Sequence, residues 1–351
     1  MRSADSSSPQ VRVLAEHISD HLSVFVVAEN TDAERPANGG LRLLSYDSDA
    51  TCKADGHRLA SLMTNKHSLY GTGFAGGKVV ARAANPAAVK DELINVTAEL
   101  LESLDGAMIT GCDLNTSLED MERLTALTPH VLAAVGSPVD ASAATAHGTL
   151  GAVEAVLDKD LNDARPGRAL VHGCGAVGGT VARHLVEHGW TVFTVDLDRE
   201  KASFPGAMPL PESCAWWELN LDLLLPCSIS GLINAEMATA LKTPAVVPAA
   251  NAPFQQPQLA DDLRRRGVRV LPDPLVNAGA VIADSIERFS PDAWKDAGAK
   301  DVYAFVRDEV RRRASEYLNQ REQGLSVGAA LEEVAATPST EPIGLSFGES
   351  E

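Results

Sequence analysis

Arg168-Ala169-Leu170-Val171-His172-Gly173-Cys174-Gly175-Ala176-Val177-Gly178 is the stretch on which the reading of this chain turns. Its first half is an apolar run of strand length, and three glycines follow at once in a G-x-G-x-x-G spacing. A helix predicted from there ends near Gly189, and a second strand, Thr191 to Val195, ends on Asp196. Each glycine has its own task. Gly173 makes a tight turn, Gly175 lets the backbone approach a pyrophosphate, and Gly178 permits close helix–strand packing. The helix start at Ala176 and Val177 offers free N–H groups and a positive dipole end to phosphates. The glycines alone are a weak signal, since such turns recur in many α/β loops. Here the strand before, the helix after and an acid 18 positions past Gly178 agree with a dinucleotide site. Asp196 is placed to accept hydrogen bonds from ribose hydroxyls and to repel a 2′-phosphate, which favours NAD over NADP. Asp198 and Arg199 stand close by, and Arg199 works against that preference.

Outward from this motif the chain divides. From Arg168 on, strand, glycine turn and helix alternate in α/β fashion. Before it, Val24 to Ala28, Leu41 to Leu44 and Lys78 to Ala81 read as strands. Ala50 to Met63 and Pro86 to Ser103 read as helices. Gly136 to Ala144, rich in small residues, reads as a hinge into a helix from Ala144 to Leu157. The expected architecture is therefore α/β with two domains and a cleft between them. Residues 1–140 form an α/β substrate-binding and oligomerisation domain, and residues 141–299 a Rossmann NAD-binding domain. A charged helical tail, about 300–351, is expected to pack back on the first. Within it Arg311-Arg312-Arg313 reads as a solvated face, and the last fifteen residues, TPSTEPIGLSFGESE, as a frayed end.

Bulk composition narrows the function classes. Apolar residues at 45% fit a globular chain. Acidic residues outnumber basic ones 48 to 30, giving a formal charge of −18 that repels nucleic acid and anionic membranes. No apolar run reaches the roughly 18 residues of a membrane span. The opening MRSADSSSPQ has no apolar h-region and reads as a flexible tail rather than a secretion signal. Five scattered cysteines without a CxxC pair point to a reducing cytoplasm, and nine histidines without ligand spacing point to no metal.

Two lysines carry the chemistry. Lys66 and Lys78 lie twelve residues apart with four glycines between Gly71 and Gly77, where the backbone can approach a ligand. Lys66 suits a substrate carboxylate. Lys78, which follows Ala75-Gly76-Gly77 and enters an apolar strand, is expected to be buried and lowered in pKa by burial and by a charged neighbour. Asp113 follows an apolar strand and is the third candidate. Its bland alternative is a turn-capping aspartate before a helix whose cap is Thr116 or Ser117.

The ordered motifs are G-G-L-R (Gly39 to Arg42), M-T-x-K ending on Lys66, A-G-G-K ending on Lys78, and G-x-D-x-N-T-S-x-x-D-M ending on Met121. They continue with T-A-x-G (Thr145 to Gly148), P-C-S-I-S-G (Pro226 to Gly231), A-A-N (Ala249 to Asn251) and P-D-P-L-V-N-A-G (Pro272 to Gly279). In these motifs the chain resembles the Glu/Leu/Phe/Val dehydrogenases, nearest to the phenylalanine and leucine enzymes. The resemblance implies NAD-dependent oxidative deamination of an L-amino acid to its 2-oxo acid. It gives Lys66 and Asn277 the substrate carboxylate, and Gly39 and Gly40 the backbone wall of the pocket. Lys78 would polarise the carbinolamine oxygen and activate water, with Asp113 relaying a proton to the departing ammonia. Asn251 would lie near the nicotinamide ribose and Thr145 near the carboxamide. Relatives of this kind assemble as homo-oligomers.

Two positions depart from the pattern. Asn38 and Asp284 stand where the leucine enzymes place apolar pocket contacts. An unpaired buried aspartate is costly, so these changes suggest a polar or cationic substrate side chain. A branched-chain or aromatic substrate is the alternative if the register is off by one. Two other readings stay open: a 2-hydroxy-acid dehydrogenase, which usually needs a histidine–carboxylate pair, and a silent NAD-binding sensor.

Overall fold

The computed structural model describes residues 11–29, 33–159, 166–211, 213–336 and 341–348. The opening ten residues, read as a flexible tail, lie outside them. Two units emerge: residues 1–137, 284–295 and 338–351 in the first, and 138–283 with 296–337 in the second.

In the first unit the order is β1 (Arg12–Ile18), β2 (Ser23–Ala28), β3 (Ala37–Asn38), β4 (Leu41–Leu44), α1 (Asp49–Tyr70), β5 (Ala75–Arg82), α2 (Lys90–Ser103), β6 (Met108–Ile109) and α3 (Leu118–Thr125). The sheet runs β1-β2-β5-β3-β6, with β4 also paired to β5. β1, β2 and β5 are antiparallel neighbours, whereas β3 and β4 run parallel to β5. β2 and β5 are buried on both faces, which is why they read as unbroken apolar runs. One face carries α1 over Phe25, Val27 and Val80, and the other carries α2 over Val24, Val26 and Val79. α1 outruns its expected end by seven residues, because the Ser48 capping box starts it and Gly71, at φ 59°, stops it. Lys66 therefore sits on a helix.

The second unit follows with α4 (Ala141–Asp158), β7 (Arg168–His172), α5 (Ala176–Glu187), β8 (Thr191–Val195), α6 (Arg199–Ala202), β9 (Ala207–Pro209), β10 (Leu223–Pro226), α7 (Ala235–Ala240), β11 (Ala245–Val246), α8 (Pro257–Arg265), β12 (Arg269–Val270) and α9 (Asp273–Val276). Next come α10 (Gly279–Phe289), α11 (Pro291–Asp296), α12 (Ala299–Glu322) and α13 (Val327–Ala336). Its sheet is parallel throughout, in the order β12-β11-β10-β7-β8-β9. That is the doubly wound arrangement, with β7 and β10 flanking the point where the winding reverses and where ligands bind.

The tail differs from expectation. α12 belongs to the second unit, where it packs along α4. Gly148 and Gly151 explain the closeness: a side chain at Gly151 would overlap the Arg307 carbonyl, and one at Gly148 would lie 3.2 Å from Val310. Val302, Val306, Val310 and Ala314 supply the apolar stripe. Residues 284–295, expected in the second domain, and 338–351 belong to the first unit. Of the arginine run, Arg311 and Arg312 are exposed, but Arg313 is buried and donates to the Val334 carbonyl. A charge run does not show which member falls on the packed side. The end expected to fray forms a short 3-10 turn, Ile343–Ser346, with Ile343 and Phe347 buried. Its apolar residues are too few to show a period.

Candidate active site

In the first unit three backbone segments meet almost without side chains between them. A Cβ on Gly39 would overlap the Gly77 carbonyl oxygen, and one on Gly40 would overlap the Cys112 carbonyl and lie 2.9 Å from the Asp113 Cβ. β3, β5 and the loop after β6 can approach so closely only because these residues are glycine. Gly76 does the same for α1, since a Cβ there would overlap the Ala60 carbonyl and the Thr64 amide. Gly73 yields to Phe289 and Pro342. The glycines between Gly71 and Gly77, expected to face a ligand, therefore make room chiefly for the protein's own chain.

Lys78 and Asp113 form an ion pair where these segments meet. The Lys78 side chain is 8% exposed. Burial pushes its amine below the ordinary lysine value, and the positive Arg42 nearby adds to that, while Asp113 pulls the other way. The direction agrees with expectation, and Arg42 is the like charge among its main causes. Burial alone would raise the Asp113 carboxyl; Lys78 and Arg42 outweigh it and hold the group at about 2. Arg42 donates through Nε to Asp113 Oδ2 at 3.0 Å and through Nη1 to Asp55 Oδ2 at 3.2 Å. Tyr46 closes the network with a 2.7 Å bond to the same Asp55 oxygen. The capping alternative for Asp113 does not describe its side chain. Ser117 caps α3, accepting from the Asp120 amide. The Thr116 hydroxyl accepts the Asp113 N–H at 2.9 Å.

Arg42, in the G-G-L-R motif, is a functional residue that the sequence alone did not single out. Its signal was available: an arginine between leucines in a buried strand needs an anion, and two are supplied.

Lys66 is half-buried near the C-terminal end of α1, next to His67. His67 is buried, its Nε2 lying 3.3 Å from the Asn38 carbonyl and its Nδ1 2.7 Å from the Thr72 hydroxyl. Burial pushes its pKa down to about 3, so the ring is neutral at physiological pH. Asn38 itself is 1% exposed, and its side-chain amide hydrogen-bonds Asp284 on α10. Glu287, one turn further on, accepts the Ala134 N–H at 3.1 Å. Sequence reasoning passed over Glu287.

In the second unit Gly173 has φ 95°, and a side chain at Gly178 would overlap the Gly173 carbonyl. By contrast, a Cβ at Gly175 would meet nothing within 4 Å, so open space lies over the start of α5. Gly175 at the N-cap has no side chain to occupy the first-turn N–H groups around Ala176 and Val177. A pocket of ≈ 460 Å³ opens there, lined by Cys174, Gly175, Ala176, Thr180, Arg183 and Lys201 among others. Free amides with two cations beside them fit a pyrophosphate. Asp196 directly follows β8, with Oδ2 accepting the Cys174 N–H at 2.6 Å and Oδ1 accepting the Asp198 N–H at 2.9 Å. These bonds fix the carboxylate and leave acceptor capacity on both oxygens. Elsewhere in this unit Asn277 donates to Asn251 Oδ1 at 2.9 Å. Gly279, two residues on, packs against α4 so closely that a Cβ would lie 2.7 Å from the Thr145 Cα. Thr145, Asn251 and Asn277 are thus gathered. Among the described residues no cluster of histidine, cysteine or acid is set to hold a metal, and no helix is long and apolar enough to cross a membrane.

Comparison with known proteins agrees with this anatomy. Residues 12–130 match the Glu/Leu/Phe/Val dehydrogenase dimerisation domain, and residues 196–337 the Glutamate/Leucine/Phenylalanine/Valine dehydrogenase domain. The chain is 30% identical to a valine dehydrogenase of Streptomyces albus over 88% of its length and 86% of that enzyme's. It is also 30% identical to a phenylalanine dehydrogenase of Caldalkalibacillus thermarum, over 80% of this chain and 82% of the relative. In fold it matches the crystal structure of L-tryptophan dehydrogenase from Nostoc punctiforme at a TM-score of 0.72, with 24% identity, covering 93% of this chain and 94% of that one. A dinucleotide turn in one unit, a buried lysine–aspartate pair in the other and these matches along the chain converge. The chain belongs to the Glu/Leu/Phe/Val dehydrogenase family, oxidoreductases that depend on a pyridine nucleotide and act on the CH–NH2 group of an amino acid.

Proposed function

We propose that this enzyme carries out NAD-dependent oxidative deamination of an L-amino acid, and the reverse reductive amination, with Lys78 and Asp113 as its catalytic pair. The observation that carries the assignment is the buried Lys78 amine, depressed by desolvation and paired with an aspartate that Arg42 holds in place. When bound, the nicotinamide ring accepts a hydride from the substrate Cα. The chain's own work surrounds that transfer. Lys78, its amine made less basic by burial, takes a proton from the attacking water and steadies the oxygen that then forms on Cα. Asp113 is an anion at rest, so it first receives the substrate's amino group and then relays a proton to the departing ammonia. Lys66 takes the substrate carboxylate and the Gly39 and Gly40 backbone bounds that site; Asn277 is a further carboxylate-binding candidate from the resemblance of its motif.

Dinucleotide contacts fall to Gly173, Gly175, Ala176, Val177 and Gly178 at the pyrophosphate and to Asp196 at the adenosine ribose, with Thr145 and Asn251 toward the nicotinamide. The fixed Asp196 carboxylate supports NAD over NADP, since a 2′-phosphate would meet a negative charge. Arg183 and Lys201 in the adjoining pocket are the groups that would oppose that choice. The match to a dimerisation domain supports a homo-oligomer, and five free cysteines fit a cytoplasmic setting.

Two measurements test the assignment. Oxidation of NADH by a 2-oxo acid should require ammonia; oxidation without it would mean a 2-hydroxy-acid dehydrogenase. Lys78→Ala should lower kcat by about 10²–10⁴-fold, with NADH affinity by fluorescence titration unchanged. Retention of most of the activity would remove Lys78 from its role, and absence of turnover on every amino acid would favour a silent sensor.

A further inference from the structure

Asp284 and Glu287 stand three residues apart on α10, on one side of the helix. Both are half-buried, and the groups acting on the Asp284 carboxyl among the described residues are Glu287, of like charge, and the Asn38 amide. Asn38 completes the group. Its side chain is aimed at Asp284, yet its Oδ1 is buried with no hydrogen-bond partner among the described residues. Two carboxylates and an unpartnered amide oxygen are thus grouped with only the Asn38 amide and the Ala134 N–H as donors, an arrangement that wants further donors from outside.

Its position says what would supply them. Asn38 pairs in register with Gly76 on parallel strands, so their side-chain directions share a face, and Lys78 is two residues further along that face. With two strand rises along and one inter-strand spacing across, the two positions are about 8 Å apart. Gly76 adds no side chain of its own there, because the Ala60 carbonyl and the Thr64 amide of α1 lie directly over it. An amino acid whose Cα lies at the Lys78 amine would send its side chain toward Asn38, Asp284 and Glu287, all within the first unit.

We propose that Asp284, with Glu287 and the free Asn38 oxygen, binds the cationic end of the substrate's side chain, so that the preferred substrate is a basic L-amino acid. An ammonium or guanidinium brings several donors and a positive charge to two carboxylates and an unpartnered carbonyl. A branched or aromatic side chain brings neither and would desolvate all three. Burial pushes both carboxyls upward, Glu287 to about 7, as expected of acids that lack a cation. The proposal rests on the deaminating role assigned to Lys78 and Asp113.

The test is an initial-rate panel of L-amino acids with the full-length enzyme: lysine, ornithine and arginine against valine, leucine, phenylalanine, glutamine and serine. The basic group should show kcat/KM at least about tenfold above the rest. Asp284→Asn should lower kcat/KM for the best basic substrate by about 10²-fold, mainly through KM, and Asp284→Val should move preference toward valine and leucine. Thermal unfolding checks that both variants fold, and if neither does, the wild-type panel decides alone. A wild-type preference for an aliphatic, aromatic or neutral polar side chain overturns the proposal and leaves the deaminating role standing. Turnover of no amino acid with either pyridine nucleotide overturns both.

Discussion

Asp113 and Asp284 are the same residue type in the same unit, and their surroundings drive them in opposite directions. Asp113 lies against Lys78 and Arg42 and is held at about 2, well inside its anionic range. Asp284 faces Glu287 and an amide, and its carboxyl rises well above the ordinary value. Burial penalises the charge on both; the presence or absence of a cation decides the outcome. One carboxylate has its counter-ions supplied by the fold. The other has none among the groups acting on it, and on the roles proposed above that contrast separates a reacting centre from a recognition point.

The comparison breaks most sharply at Asp113. Asp113→Asn removes the ion-pair partner of Lys78 and leaves Asp55 as the anion beside Arg42, which should cost on the order of 3 kcal/mol of stability. The same change should lower kcat about 10²–10⁴-fold. Urea unfolding and steady-state kinetics read the two effects, and near-native activity would mean that Asp113 is only structural. Arg42→Lys keeps the charge but loses the fork that reaches Asp113 and Asp55 together. A loss of about 1–2 kcal/mol, with several-fold lower kcat and little change in KM, is expected. A rise in KM alone would point to direct substrate contact instead.

The pH dependence of stability sharpens the contrast, because the two regions act with opposite sign. Asp113 has its pKa lowered from 3.8. Its pairing therefore contributes fully above about 3.8 and is lost as pH falls through about 2. Glu287 is raised from 4.5 to about 7. Its contribution is fully present below 4.5 and lost as pH rises through 7, because the native state keeps a proton the unfolded chain releases. Glu287→Gln, which preserves an acceptor for the Ala134 N–H, should flatten the decline in Tm between pH 4.5 and 7 relative to wild type. An unchanged slope would show that Glu287 is not the titrating group.

Much of this was legible in the sequence. Strands such as Val24 to Ala28 and Thr191 to Val195 announced themselves because apolar runs between turn signals are local patterns. The glycine turn after β7 was legible because strand, glycines, helix and acid all stand within thirty residues. The glycines before Lys78 were harder. Gly175 clears space above itself, whereas Gly39, Gly40, Gly76 and Gly77 are filled by the protein's own atoms, and spacing alone does not distinguish the two uses. Long-range partners escaped for the same reason. Arg42 meets Asp113 across 71 residues and Glu287 meets Ala134 across 153, and no local period encodes either meeting. β1 was missed because its burial alternates weakly, and α12 was assigned to the wrong unit because its partner stripe holds glycines rather than a hydrophobic face.

The short turn near the carboxyl end carries a practical consequence for handling the enzyme. The Ile343 N–H reaches the Gly71 carbonyl at 2.8 Å, the Gly344 N–H reaches the Ser285 hydroxyl at 3.0 Å, and that hydroxyl in turn reaches the Thr72 carbonyl at 2.8 Å. Ser285 is the neighbour of Asp284, though 59 residues separate it from Gly344. Trimming by a protease or crowding by a purification tag at this extremity would loosen the latch and disturb selectivity before it disturbed the reaction itself.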